Sequence, residues 1–476
     1  MEKTLKTFSL IALCCCVLAV ALLLFVLPSL LESSENKMRI EMLASEALSM
    51  ETHIDGPLAI GLLPGLHLTL SKLRIGEQGQ ELLVAERARI GIAMLPLLVG
   101  NIKILSINLD QPNISISPSI QANLPSDYFA SMEDSLDVQE IPEFSFSGAT
   151  LKYFDDQAEE ILSAMDCDLQ MQKPLTQSGS ADTLLQNLSF DTELTCTEFQ
   201  YNSYKGFDLK VIAVAADGVI NFAPITMQFL EGQGTGGILA IFSNATPRYQ
   251  VSYVLPGLKL KGLLNTLPTE YTAAGSLDLT LNLEMEGKDS AQLMQSAKGA
   301  IFLHGAQLTL TGIDLDEKFE KFESSQNFNL IDAGAFFFAG PLGLLATKGY
   351  DFTSLLAQSS GSSEISSLIS DWKIADGMAQ SVDVAMATGQ YRVALQGQLD
   401  LVNAQFVDVT IAMLDHEGCS VIQQKVHGSF AQPEVDQSQI LFSLANPVLK
   451  LLRQGAAFIT DESCEVFYSG EVAVPE

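Results

Sequence analysis

The chain is 476 residues long, 47% apolar and only 17% charged, with a net charge of −31. That length exceeds one ordinary core, so two or three domains are expected. Its 57 acidic residues against 26 basic ones exclude nucleic acid as a partner and predict a soluble surface that repels anionic headgroups.

The N-terminus carries the clearest physical signal. From Phe8 to Leu31 the run FSLIALCCCVLAVALLLFVLPSLL holds no charge, and about 20 apolar residues span a bilayer as a helix. Lys3 and Lys6 precede it while Glu32 and Glu35 follow, which keeps the short tail in the cytoplasm and exports the rest. A cleaved signal peptide is the competing reading, but it wants a shorter apolar core and a small-x-small cleavage site. The run instead continues into LPSLLESSE, which favours an uncleaved anchor. Cys14, Cys15 and Cys16 sit mid-run behind Leu13, where a lipoprotein site needs a small residue, and read as thiols inside a membrane helix. Four more cysteines lie beyond the anchor, and their even number fits an oxidising compartment. Their order pairs Cys167 with Cys196 and Cys419 with Cys464; four unpaired thiols are the alternative.

An amphipathic helix is expected over residues 36–52, and extended segments then dominate. GLHLTLSKLRIG (65–76) places Leu66, Leu68 and Leu70 on one face until Ser71 breaks step, as a bulge would. ARIGIAML, a short PLLVG connector and IKILSINLDQPNISIS read as strand, turn, strand, proline break and strand. An acidic connector covers 124–143, and strands follow at 144–153, 166–172, 188–199, 209–216, 237–242 and 249–255. GQGTGG (232–237) lacks the Lys-Ser/Thr of a phosphate loop and reads as a turn. In SLDLTLNLEMEG (276–287), Leu277, Leu279, Leu281, Leu283 and Met285 alternate with polar residues, so one face of that strand is greasy. AIFLHGAQLTLTGIDL (300–315) repeats the pattern with Leu308 and Leu310. A short helix is expected over 317–323, a flexible serine-rich loop over 357–367, strands within 382–414, and a helix over 438–452 bent at Pro447.

This is a mainly β chain with little helix to cover its strands. An outer-membrane barrel is opposed by the anchor and by aromatics too sparse for two girdles; a sandwich would need shorter strands and more even turns. Catalytic signals are weak. Asp166 with Asp168, and Asp314 with Asp316, put carboxylates on one strand face, best read as solvated. The DHEGC stretch (Asp415, His416, Glu417, Cys419) has no second cluster at zinc spacing. No G-x-S-x-G or H-E-x-x-H occurs, and His53, His67, His304, His416 and His427 are scattered. The expectation is a non-enzyme with no cofactor and no metal.

Several stretches together resemble the AsmA family of bacterial envelope proteins. They are the anchor with GPLAIGLLPGLHLTLSKLRIG, then AERARIGIAMLPLLVGNIKILSINLDQPNISIS, then AAGSLDLTLNLEMEGKDSAQLMQSAKGAIFLHGAQLTLTGIDLD, WKIADGMAQSVDVAMATGQYRVALQGQLDL and VHGSFAQPEVD. FNLIDAGAFFFAGPLGLLATKGYDF also resembles segments of that family. The resemblance implies a cytoplasmic tail and transmembrane anchor over 1–35, an N-terminal AsmA-like β domain over 36–256, a second over 257–436, and a helical, disulfide-linked tail over 437–476. It implies an elongated, curved antiparallel sheet with an apolar groove and a few short helices. It also implies a place at the inner membrane of a diderm bacterium, with the bulk in the periplasm and a role in outer-membrane biogenesis. Larger TamB-like relatives are thought to conduct phospholipid tails. The groove candidates are then Leu66, Leu68, Leu70, Leu277, Leu279, Leu281, Leu283, Met285, Leu308 and Leu310, with the membrane, phospholipid and other envelope proteins as partners. An assembly factor that pairs nascent outer-membrane strands with a free sheet edge is the alternative.

Overall fold

A computed structural model describes residues 34–117, 142–176, 184–263, 272–325, 361–440 and 466–475, apart from positions 49, 64, 78–79, 100, 156, 203, 245, 313, 431 and 437–438. The Phe8–Leu31 run, most of the acidic connector, the segment 441–452 and Cys464 lie outside the described residues. Among those described, no helix is long and apolar enough to cross a membrane. The chain divides into two compact units, Met1–Asn202 with Phe207–Ile220, and Ser203–Gly206 with Asn221–Glu476.

In the first unit, α1 (Ser34–Leu48) lies beside β1 (Glu51–Ile54). The Thr52 N–H donates to Ser45 Oγ at 2.9 Å, the Ile54 N–H to Glu41 Oε1 at 2.7 Å, and Lys37 Nζ to the Gly56 carbonyl at 3.2 Å. β1 and β2 (Leu58–Gly61) share the outer edge of β3 (His67–Glu77). An antiparallel meander follows through β4 (Gln80–Ile92), the one-turn α2 (Met94–Leu98) and β5 (Ile104–Ile116). β5 then pairs in parallel with β6 (Glu143–Phe154), where an all-antiparallel sheet was expected. A parallel neighbour needs a crossover of a dozen or more residues, and the span 117–142 supplies it. β7 (Glu160–Thr176), α3 (Leu184–Asn187) and β8 (Leu188–Tyr201) continue with antiparallel pairing of β6 to β7 and β7 to β8, and β9 (Tyr204–Ala216) follows in sequence.

The break of step expected at Ser71 falls at Lys72, whose φ is 53°. Gln111 (φ 48°), Gly148 (φ 61°) and Asp166 (φ 52°) stand in the same row of the sheet. At each of these left-handed residues the strand turns, and the apolar positions on either side are three apart instead of two. Leu70 and Leu73, Leu109 and Pro112, Phe146 and Ala149, and Ala164 and Cys167 are accordingly all buried. A line of left-handed residues thus runs through β3, β5, β6 and β7, and the buried apolar positions resume beyond it.

The second unit holds β11 (Gly232–Ile241), β12 (Arg248–Lys259), β14 (Ser276–Glu286), β15 (Lys298–Thr311), β16 (Ser362–Ala375), β17 (Met378–Ala387), β18 (Arg392–Asp400), β19 (Gln405–Leu414) and β20 (Ser420–Ser429), paired antiparallel in that order. β13 (Thr272–Ala274) adds to β15, the short α5 (Ser290–Ser296) lies between β14 and β15 in the chain, and β21 (Gln432–Val435) and β22 (Gln439–Ile440) add to β20. β10 (Val219–Phe229) is a strand that the sequence did not announce. β12, which pairs with β11 on one side and β14 on the other, runs through positions 256 and 257.

The serine-rich stretch is a second correction: residues from Ser362 onward are strand β16, between β15 and β17. Two of its serines, Ser363 and Ser370, are buried, and their hydroxyls are used. Ser363 Oγ accepts from the Leu315 N–H at 2.7 Å, and Ser370 Oγ accepts from Trp372 Nε1 at 2.9 Å. Asp314 and Asp316 do not share a strand face either. They stand at the start of α6 (Leu315–Ser325), where Asp314 Oδ1 accepts from the Glu317 N–H at 2.9 Å and Asp316 accepts from the Thr388 hydroxyl. The core of this unit packs Leu315 and Phe319 of α6 and Leu260 and Leu263 of α4 (Leu260–Leu263) with the apolar face of β14–β20. On the other face, Tyr468 and Val472 of the C-terminal segment cover Ile369, Ala385, Ala387 and Ala394.

Candidate functional site

Chemistry-bearing residues are taken up by structure. Asp166 Oδ2 accepts from the Thr197 hydroxyl at 3.0 Å, and Asp168 Oδ1 from the Gly148 N–H at 2.9 Å, both at the row of left-handed residues. Asp415 Oδ1 accepts from the Glu417 and Cys419 N–H groups at 2.9 and 2.8 Å, closing a turn. His304 Nε2 lies 2.7 Å from Asp371 Oδ1; burial raises the Asp371 carboxyl above its usual value while the imidazole works against that rise. Cys167 and Cys196 form a disulfide across β7 and β8, with Cα atoms 4.1 Å apart. Cys419 is also disulfide-bonded.

What remains distinctive is apolar strand surface. In the first unit, Leu68, Ile90, Ile107, Phe144 and Met171 stand in register across β3–β7. All five are only half-buried. One row deeper, Leu70, Ala88, Leu109 and Phe146 are buried, and the Phe144 and Phe146 rings meet edge to face at 6.0 Å. Five strands give four spacings of ~4.8 Å, so the half-buried row is about 19 Å long. The intervening row, Thr69, Arg89, Asn108, Ser145 and Gln170, is polar. A trough of about 830 Å³ is lined by Arg89, Asn108, Ser145 and Gln170, and by Leu66 and Leu105 at the strand ends. That volume lies within the range of small-molecule sites, roughly 300–1,000 Å³.

The sequence candidates divide between the two units. Leu66 and Leu70 are buried in the first, next to half-buried Leu68. In the second, Leu277, Leu308 and Leu310 are buried in the core with Phe319, whereas Leu279, Leu281, Leu283 and Met285 are half-buried against it. β14 is thus closed at its Leu277 end and less so toward Met285. The row Ile90, Ile107, Phe144 and Met171 was not among the candidates. Its alternation was visible in ARIGI, SINLD and EFSFS, but only strand pairing aligns those pieces.

Tyr253 extends the apolar face of the second unit. Its ring lies over β11, where a Cβ at Gly234 would come within 2.2 Å of Tyr253 Oη and one at Gly236 within 2.5 Å of Cδ2. GQGTGG is therefore strand and not turn; its glycines make room for that ring. The Tyr253 hydroxyl is buried and has no hydrogen-bond partner among the described residues, and burial pushes its pKa up to about 12.

Comparison with known proteins matches residues 1–180 to the AsmA family. No curated protein matches the chain.

Proposed function

Taking residues 1–180 as AsmA family sequence, we propose that this protein is anchored in the inner membrane by Phe8–Leu31 and holds phospholipid acyl chains on the apolar face of its exported β sheet, in the service of outer-membrane biogenesis. The observation that carries this reading is the half-buried row Leu68, Ile90, Ile107, Phe144 and Met171. Apolar surface left in water costs roughly 25 cal/mol per Å², and an acyl chain laid along the row removes that cost for both partners. At ~0.8 kcal/mol per buried CH₂, a tail of ~16 carbons offers a gross stabilisation on the order of 10 kcal/mol before ordering costs. Such binding uses no nucleophile, acid–base pair, metal or cofactor.

The alternative, strand addition by nascent outer-membrane proteins, needs a long unpaired edge. Residues 67–70 and 73–76 of β3 already pair with β2 and β1, and 422–423 and 426–429 of β20 with β22 and β21. This favours the lipid reading.

The test is a photo-crosslinking amino acid at Ile107 in the full chain, in native membranes containing labelled phospholipid. The same group at Asn108 is the control, because adjacent strand residues face opposite sides. Lipid adducts at Ile107 at roughly tenfold the Asn108 level are expected from that geometry. Equal labelling at the two positions refutes the reading.

A further inference from the structure

One end of the first unit is built almost entirely of apolar side chains turned to solvent. The turn between β2 and β3 carries Leu63, 87% exposed, and the connection between β4 and β5 carries Leu95, Val99 and Ile102, at 79%, 76% and 71%. Both connections lie at the same end, because β3 begins where β4 finishes. The tip is a folded element and not a loose loop. The Ala93 N–H donates to the Lys103 carbonyl at 2.9 Å, the Ile92 N–H to Leu66 at 2.8 Å, and the Val99 and Asn101 N–H groups to Pro96 at 3.1 and 3.0 Å. Backbone groups paired in this way are what a non-aqueous surrounding demands.

Charge singles out the same end. The chain has 57 acidic residues, yet 56–76 and 87–109, which form the tip and its strands, contain none. They carry Lys72, Arg74, Arg87, Arg89 and Lys103. Arg74 is paired with Asp55 and Glu81, and Arg87 with Asp110. Arg89 and Lys103 stand nearest the tip, and each cation near an anionic bilayer contributes about 1 kcal/mol of attraction.

The third observation is where the chain enters. Along α1, Ser45, Glu41 and Lys37 bond in turn to Thr52, Ile54 and Gly56. The helix N-terminus therefore points the way β1 and β2 run, toward Gly61 and the tip. Glu32 and Ser33 alone separate Ser34 from the uncharged Phe8–Leu31 run.

We infer that this tip is a second membrane contact: Leu63, Leu95, Val99 and Ile102 rest in the interface of the bilayer that the N-terminal run spans. The inference rests on the anchored reading above and adds to it a fixed orientation, with β3–β5 standing on the membrane at one end. Apolar side chains seated this way sit roughly 5–10 Å into the headgroup–acyl boundary.

The full chain is reconstituted into phosphatidylethanolamine–phosphatidylglycerol vesicles with or without brominated acyl chains, and tryptophan fluorescence is read. The sole native tryptophan, Trp372, is buried and supplies the background. Leu95→Trp and Ile102→Trp are the probes. Ile116→Trp, exposed at the far end of β5 and about 40 Å from the tip at ~3.3 Å per residue, is the control. Roughly twofold quenching at the two tip positions and none at Ile116→Trp is expected for side chains at the acyl boundary. Tip probes that behave like Ile116→Trp, in protein that an alkaline wash leaves on the vesicles, overturn the inference while sparing the anchor. Release by that wash overturns the anchored reading and this inference with it. Quenching that persists when Ile107 gives no lipid crosslinks supports the tip contact and refutes only the acyl-chain site.

Discussion

Tyr253 is the residue at which the apolar face and its cost are easiest to separate. Its ring covers the glycines of β11, but its buried hydroxyl has no partner among the described residues. A buried hydroxyl without a hydrogen bond is destabilising, whereas the ring's burial is favourable. Tyr253→Phe is therefore expected to raise unfolding stability by about 1 kcal/mol, measured by urea denaturation. The pH dependence has a definite sign. The folded value is about 12 against 10 for a free tyrosine, so the unfolded chain loses this proton first, and stability falls as pH climbs from 10 to 12. Tyr253→Phe makes that alkaline limb shallower; an unchanged limb would show that the hydroxyl is not buried. The Cys167–Cys196 bridge is the other single-site stabiliser, closing a sequence separation of 29 residues. In the chain-entropy account its removal by Cys167→Ala with Cys196→Ala lowers stability by roughly 3–4 kcal/mol, measured by urea denaturation.

At the scale of elements, what was legible in the sequence followed the range of the interaction involved. SLDLTLNLEMEG is strand β14 because its alternation is local, and Ser71 marked the break of step for the same reason, although the register shows no bulge there. β16 was hidden because Ser363 and Ser370 look like loop residues until Leu315 and Trp372 arrive to satisfy them. GQGTGG looked like a turn because Tyr253, which requires its glycines, lies on the next strand. The half-buried row of the first unit needed five strands in register, one of them parallel, before it could be seen as a row. Helix α6 decides how much of the second unit's face is open. Asp314 caps its first turn, and Leu315 and Phe319 are buried beside Leu308 and Leu310. Asp314→Ala removes the cap at a cost of about 1 kcal/mol. The expected result is faster amide exchange in α6, with the exchange of β3–β7 unchanged. Slow exchange throughout α6 in that variant would mean that packing alone holds the cover.

Across the whole chain, the two units differ in how completely their strands are covered. In the first, burial alternates along each strand and the outermost apolar row stays half-buried. In the second, Val384–Ala387, Arg392–Leu395 and Ile411–Met413 are buried at every position, because the core lies on one face and the C-terminal segment on the other. Backbone bonds from the Phe467 and Tyr468 N–H groups to the Gly418 carbonyl and a polar cluster both hold that segment. The Tyr468 hydroxyl donates to Asp383 Oδ1 at 2.6 Å and accepts from the Val472 N–H at 3.0 Å, while the Glu471 N–H donates to Asp383 Oδ2 at 2.9 Å. Arg392 lies 5.7 Å from the Tyr468 ring centre and donates to the carbonyls of Val472 and Asp415 at 3.3 and 3.0 Å. Burial, with the hydrogen bond to Asp383, raises the hydroxyl's pKa above the usual tyrosine value. Tyr468→Phe deletes the donor to Asp383 and the acceptor for Val472, and should cost about 1–3 kcal/mol through the groups left unpaired. Because amide exchange reports local opening free energies, the loss should appear as faster exchange in β16–β18, where the covered residues lie, with β3–β7 at their native rates. Phospholipid should do the converse, slowing exchange in β3–β7 and leaving β16–β18 alone. Acceleration spread evenly over both units in Tyr468→Phe would mean that the chain opens as one cooperative body, and that a half-covered sheet and a fully covered one are not separate in stability.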